Sequence, residues 1–115
     1  MDKIETGKKA EDLAAAFLQA KGFSVIERNF RAKVGEIDVI ARDGDEVVFV
    51  EVRSRASKDF GGAAASVGGP KRRKLTRAAA LWLQVRGWDG PCRFDVVTLD
   101  GTRLEHIPDA FTADR

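Results

Sequence analysis

Gly35 to Arg55 reads GEIDVIARDGDEVVFVEVRSR, two apolar runs around a turn cluster at Asp43-Gly44-Asp45, with Glu36, Asp38 and Glu51 set among Ile, Val and Phe. Turn residues between two such runs predict a β-hairpin. Side chains alternate along a strand, so Glu36, Asp38 and Ile40 share one face and Ile37, Val39 and Ala41 the other. On the second strand, Glu51 and Arg53 lie opposite Val48, Val50 and Val52. A two-residue turn at Gly44-Asp45 sets Asp38 directly across from Glu51, whereas one at Asp43-Gly44 makes them diagonal neighbours. Both registers put the carboxylates on one face. A plain three-residue turn would send Glu51 to the opposite face unless a bulge restored the register.

Two carboxylates that close repel each other, and burial beside Val47 and Phe49 raises the cost of keeping both ionised. A divalent cation removes the conflict. Oxygen donors from Asp38 and Glu51, with a backbone carbonyl and water, suit a hard ion such as Mg²⁺ or Mn²⁺. The competing explanation is that alternating charge on a hairpin is simply its solvated face. Against it stands VVFVEV, residues 47–52. A strand apolar on both faces is central in its sheet, and a carboxylate inside it needs a reason.

Working outward, 115 residues with 43% hydrophobic content suffice for one compact domain spanning 1–115, and for one core. No apolar run approaches the ~20 residues of a membrane helix, and MDKIETGKK has no apolar segment followed by a cleavage site. The expected location is the cytoplasm, without membrane contact. One cysteine, Cys92, excludes an internal disulfide and a multi-cysteine zinc site, and one histidine, His106, leaves a His-rich metal site without partners. Catalysis would have to run on carboxylates, lysines and arginines.

From Lys8 to Ala20, apolar Ala10, Leu13, Ala14, Phe17 and Leu18 follow a helical stripe, and Gly22 suits its end. FSVIERNF, residues 23–30, alternates as a first strand, and the hairpin supplies two more. Ala56 to Pro70, ASKDFGGAAASVGGP, reads as a long mobile loop, a type that is often functional. Pro70 fits a helix start, Leu75, Ala78, Ala79 and Trp82 form a stripe, and Gly87 a stop. CRFDVVTL and TRLEHI, around Asp100-Gly101, predict a closing hairpin, with a short helical turn at PDAF. The order α-β-β-β-α-β-β implies a mixed central sheet flanked by helices. Trp82, Cys92 and His106 read as structural.

D-x(n)-E-x-K on adjacent strands, after a helix bearing a glutamate, is the signature of PD-(D/E)xK nucleases, and Glu11, Asp38, Glu51 and Arg53 fill those places. More closely, GKKAEDLA, RNFRAKVGEIDVIARDG, VVFVEVRSR, FGGAAASV, RFDVV and HIPDAF together resemble the YraN family of bacterial proteins, from Gly7 to about Phe111. The resemblance implies an α/β, restriction-endonuclease-like fold, distantly similar to archaeal Holliday junction resolvases. It implies a metal-dependent endonuclease, with Asp38 and Glu51 as metal ligands and Glu11 as an assisting carboxylate. Arg53 stands where the signature has Lys. A guanidinium stays charged throughout the accessible pH range, so Arg53 could orient a hydroxide or stabilise charge on phosphate, but could not be a general base.

KRRKLTR, Lys71 to Arg77, carries five basic residues and no acidic one, although net charge is only +2. Lys71, Arg72, Arg73 and Lys74 crowd a helix start, where the dipole disfavours cations by ~0.3–1 kcal/mol each. Charged runs on helices are ordinarily solvent faces. A phosphate would reverse the sign, and nucleic acid is a source of repeated phosphates. Arg53, Arg55 and Lys58 extend the track. The expected function is cleavage of nucleic acid, DNA first, branched or single-stranded. A junction-cutting role would go with a homodimer. The alternatives are an inactive nucleic-acid-binding module on the same fold and a protein-interaction adaptor.

Overall fold

A computed structural model of the chain describes residues 3–54, 68–101 and 103–111. They form α1 (Lys3–Ala20), β1 (Ser24–Ala32), β2 (Gly35–Asp43), β3 (Glu46–Ser54), α2 (Gly69–Arg86), β4 (Cys92–Asp100) and β5 (Arg103–Phe111). The strands make one open sheet in the order β1-β2-β3-β4-β5, antiparallel except for β3–β4. The parallel pair follows from the connection through α2, since a helix between two strands returns the chain in the same direction. This is the α/β, restriction-endonuclease-like architecture. No helix among the described residues is long and apolar enough to cross a membrane.

The β2–β3 hairpin pairs Asp43 with Glu46 and Val39 with Val50, so Gly44-Asp45 is its two-residue turn. Gly44 sits at φ 64, the left-handed region such turns demand. β3 is central, as its doubly apolar sequence requires. Val47 and Phe49 enter one core with Leu75, Ala78, Ala79 and Trp82 of α2, while Val48 and Val50 enter another with Ala14 and Leu18 of α1. The α2 stripe is buried as its spacing indicates, and Gly87 closes the helix at φ 69 with Trp88 N–H donating to the Leu83 carbonyl.

Three local expectations are corrected. α1 starts at Lys3 rather than Lys8, because KIETGKK continues the helix without an apolar stripe to mark it. Its buried side is Ala10, Ala14, Ala15 and Leu18, leaving Leu13 40% exposed. PDAF is not helical: β5 runs through it to Phe111, whose ring stacks on Phe94 at 4.9 Å. Pro108 is tolerated there because β5 is an edge strand. Third, Ile37 does not lie with Val39 and Ala41. It joins the α2-side core with Ile40, and that change of face builds the site.

Candidate active site

After a register shift between Val25 and Glu27, β1 keeps one register with β2 from Glu27 to Ala32. Arg28 pairs with Val39 and Phe30 with Ile37, and between them Asn29 lies opposite Asp38. Asn29 adopts φ 54, a left-handed conformation that Asn tolerates better than other non-glycine residues. One residue in that conformation inverts the alternation of its strand. Phe30 packs against the α2-side core, and Ile37 across from it has switched sides too. Asp38 therefore sits on a two-strand dislocation and is committed to neither face.

The β2–β3 ladder stops at Val39–Val50. Beyond it the strands part, and the Val52 N–H donates to Asp38 Oδ2 at 2.9 Å. The carboxylate thus takes the place of a strand carbonyl and is fixed in the fork. Glu51, on β3, is 5% exposed. Burial, and then the charge of Asp38, push its carboxyl up to about 7, against the opposing pull of Lys71. From α1, Glu11 approaches Asp38: burial first, then Asp38, raise its pKa, while hydrogen bonding from Asn29 and the Arg28 guanidinium work the other way. Asp38 thus acts on both Glu11 and Glu51, raising each.

Two cations approach Glu51. Lys71 Nζ, from the first turn of α2, lies 3.2 Å from Oε2, and Arg53 Nη1 lies 3.7 Å from the same atom. Beside them a cleft of about 290 Å³ is lined by Ala32, Gly35, Glu36, Lys71, Lys74 and Leu75. Gly35, at φ 155, is pressed so closely on α2 that a Cβ there would come within 2.7 Å of the Lys74 carbonyl oxygen. The start of α2 has no side-chain cap and no acidic residue in its first turn. Its N–H groups and lysines accordingly present positive potential beside the carboxylates.

Other expected residues are placed elsewhere. Glu36 is exposed at the cleft rim and lies 3.8 Å from Arg31. The Arg72 guanidinium lies over the Phe111 ring, 5.2 Å from its centroid. Arg55, Lys58 and the glycine-rich segment to Val67 lie outside the described residues. Trp82 is buried and its Nε1 donates to Glu27 Oε1 at 2.8 Å. The side chain of His106 is covered and sits in a structural network. Lys21 Nζ donates to its Nδ1 and its Nε2 to Asp95 Oδ2, both at 2.7 Å.

Among the described residues, no three His, Cys, Asp or Glu side chains are gathered to hold a metal ion. The carboxylates that meet at the fork number two, Asp38 and Glu51. That number suits Mg²⁺, which keeps several waters and commonly takes only one or two protein carboxylates alongside phosphate oxygens. Glu51 remains raised to about 7 despite Lys71, so the repulsion is only partly offset, and a cation would offset it further. Sequence reasoning missed Asn29, for which the available signal was an Asn within an alternating strand. It also missed the reach of Lys71 to Glu51, which no spacing reveals.

The profile of the uncharacterised protein family UPF0102 matches residues 10–99. A UPF0102 protein of Dechloromonas aromatica is 53% identical over 108 residues, 94% of this chain and 89% of its own length. One from Alkalilimnicola ehrlichii is 50% identical over 112 residues, 96% and 89% of the two chains. One from Ralstonia nicotianae is 52% identical over 111 residues, 92% and 85% of the two.

Proposed function

The chain belongs to the UPF0102 (YraN) family, and from that premise and the carboxylate pair at the β2–β3 fork we propose that it is a divalent-metal-dependent phosphodiesterase cutting nucleic acid, DNA first. The observation that carries this reading is Glu51. A glutamate in the central strand, raised to about 7 by burial and by Asp38, burdens the folded state unless its negative charge is used. Asp95, equally buried, shows the contrast. Arg93 donates to it at 2.9 Å, His106 contacts it at 2.7 Å and the Asp109 N–H donates at 2.9 Å, so both of its oxygens are hydrogen-bonded.

Asp38 and Glu51 would hold Mg²⁺ or Mn²⁺, which supplies an activated water and offsets charge on the phosphate. The Val52 N–H fixes one Asp38 oxygen and leaves the other for coordination. Glu11, steadied by Asn29, orients water on the α1 side of Asp38. Arg53 stabilises negative charge developing on the phosphate. The cleft lined by Lys71 and Lys74 receives the phosphates of one strand.

The test is incubation of single-stranded, duplex and four-way-junction DNA, and of RNA, with Mg²⁺, Mn²⁺ or EDTA. Wild type should cut at least one substrate, and only with metal. Asp38→Asn should abolish cutting while affinity in metal-free buffer holds or improves, because a negative charge near phosphate is lost. A second reading, a binding module without turnover, draws on Arg53 in place of the signature lysine. It is the correct one if wild type and Arg53→Lys both fail to cut while Lys74→Ala still weakens binding.

A further inference from the structure

Arg53 leaves the site without the lysine of its signature, and the folded chain brings another lysine to the same carboxylate. Lys71 Nζ lies 3.2 Å from Glu51 Oε2, nearer than the 3.7 Å of Arg53 Nη1. Among the described cations at the start of α2, it alone both touches a site carboxylate and lines the cleft. Lys74 lines the cleft only, and Arg72 lies over Phe111. We propose that Lys71 is a catalytic residue, the ammonium that contacts the scissile phosphate, supplied from α2 rather than from β3. The inference rests on the nuclease reading and assigns within it a role that the sequence pattern gave to position 53.

The geometry explains why one residue serves. Lys71 is half-exposed, with one end of its reach on a buried carboxylate and the other on the open cleft. Its ammonium has three donors on a flexible stem, so one can remain on Glu51 while another meets a non-bridging phosphate oxygen. In the reaction the water oxygen forms a bond to phosphorus as the bond from phosphorus to the leaving sugar oxygen breaks. Water releases a proton to solvent, the leaving oxygen takes one from solvent, and the products are a phosphomonoester and a hydroxyl. Lys71 stays protonated throughout. It donates hydrogen bonds to the pentavalent centre, whose added negative charge it holds more strongly than that of the ground state.

Three variants test this on whichever substrate wild type cuts: Lys71→Met, Lys74→Met, and Lys71→Met combined with Arg53→Lys. Loss of one preorganised donor at a transition state lowers kcat by roughly 100-fold or more, so Lys71→Met should do so while affinity for uncut DNA in EDTA changes no more than in Lys74→Met. Lys74→Met, which removes a phosphate contact of the cleft but none to Glu51, should raise KM and lower kcat far less than Lys71→Met. Arg53→Lys should return a large part of the rate to Lys71→Met, because an ammonium is restored beside Glu51. Calorimetric titration of DNA-free protein with Mn²⁺ gives a readout apart from turnover: Lys71→Met should bind the ion more tightly than wild type, having lost a cation beside a ligand, and Lys74→Met should not. If Lys71→Met weakens DNA binding while keeping kcat, or leaves Mn²⁺ affinity unchanged, the assignment is wrong and the nuclease reading survives. If wild type cuts nothing, the nuclease reading fails and takes this assignment with it.

Discussion

Glu51 states the cost of the site in one residue. Its carboxyl titrates near 7 in the folded chain against an ordinary 4.5, so the folded state holds a proton that the unfolded chain has given up. Stability therefore falls as pH rises from about 4.5 through 7, and above 7 the full penalty is present. At about 1.4 kcal/mol per pKa unit, that penalty is on the order of a few kcal/mol. Glu51→Gln, neutral at every pH, should melt above wild type at pH 8 and close to it at pH 4.5. Millimolar Mg²⁺ at pH 8 should raise the melting temperature of wild type and not of the variant, because only wild type binds the ion. Equal melting curves at pH 8 would mean that the glutamate carries no such burden. Arg53 is the other telling residue. If it supplies only charge, Arg53→Lys should retain or raise metal-dependent cutting, since lysine keeps the charge and restores the signature; a fall of more than about tenfold (~1.4 kcal/mol) would instead assign the planar guanidinium a specific contact.

At the scale of elements, the site is a fault line in the sheet. Alternation along GEIDVI correctly brings Asp38 toward Glu51, and the Gly44-Asp45 turn gives the expected register. It mis-assigns Ile37, because a single left-handed residue on the neighbouring strand inverts the pattern and leaves composition unchanged. Nothing in FSVIERNF distinguishes Asn29 as that residue except its tolerance of φ 54. The α2 stripe was legible because four apolar residues at helical spacing have one geometric meaning, whereas the contact of Lys71 with Glu51 depends on how two faces meet and has no local trace. PDAF misleads for a related reason: its residues are turn-like locally, and the contact that makes it strand, Phe111 on Phe94, is not local. Gly35 joins these elements. Its φ of 155 and the 2.7 Å approach of a notional Cβ to the Lys74 carbonyl leave no room for a side chain, so Gly35→Ala should cost roughly 2 kcal/mol or more through strain and overpacking. The first turn of α2 should shift from the cleft as a result. Chemical denaturation and the DNA affinity of the folded variant read the two effects, and an unchanged denaturation midpoint would show that α2 yields freely.

For the molecule as a whole, charge is separated rather than abundant. A net charge of +2 gives little general attraction for nucleic acid, so binding must come from where the cations stand. At one end of α2, Lys71 and Lys74 line the cleft beside the carboxylates. At the other, Arg86 is committed to Glu27 at 2.7 Å and to the face of Trp82. Lys74 and Arg86 are separated by ~18 Å along the helix axis, about twice the Debye length of ~8 Å at physiological salt. Neither cation can stand in for the other. Lys74→Ala should therefore weaken DNA binding and lower the salt-dependence slope by about one unit, as expected for one lost phosphate contact. Arg86→Ala removes the same formal charge and should leave both the affinity at physiological salt and the slope near wild type, although it should lower stability slightly through the lost ion pair and stacking. Fluorescence anisotropy over a salt series, in EDTA, measures both. If the two variants weaken binding alike, nucleic acid responds only to total charge and the cleft has no privileged place in its path.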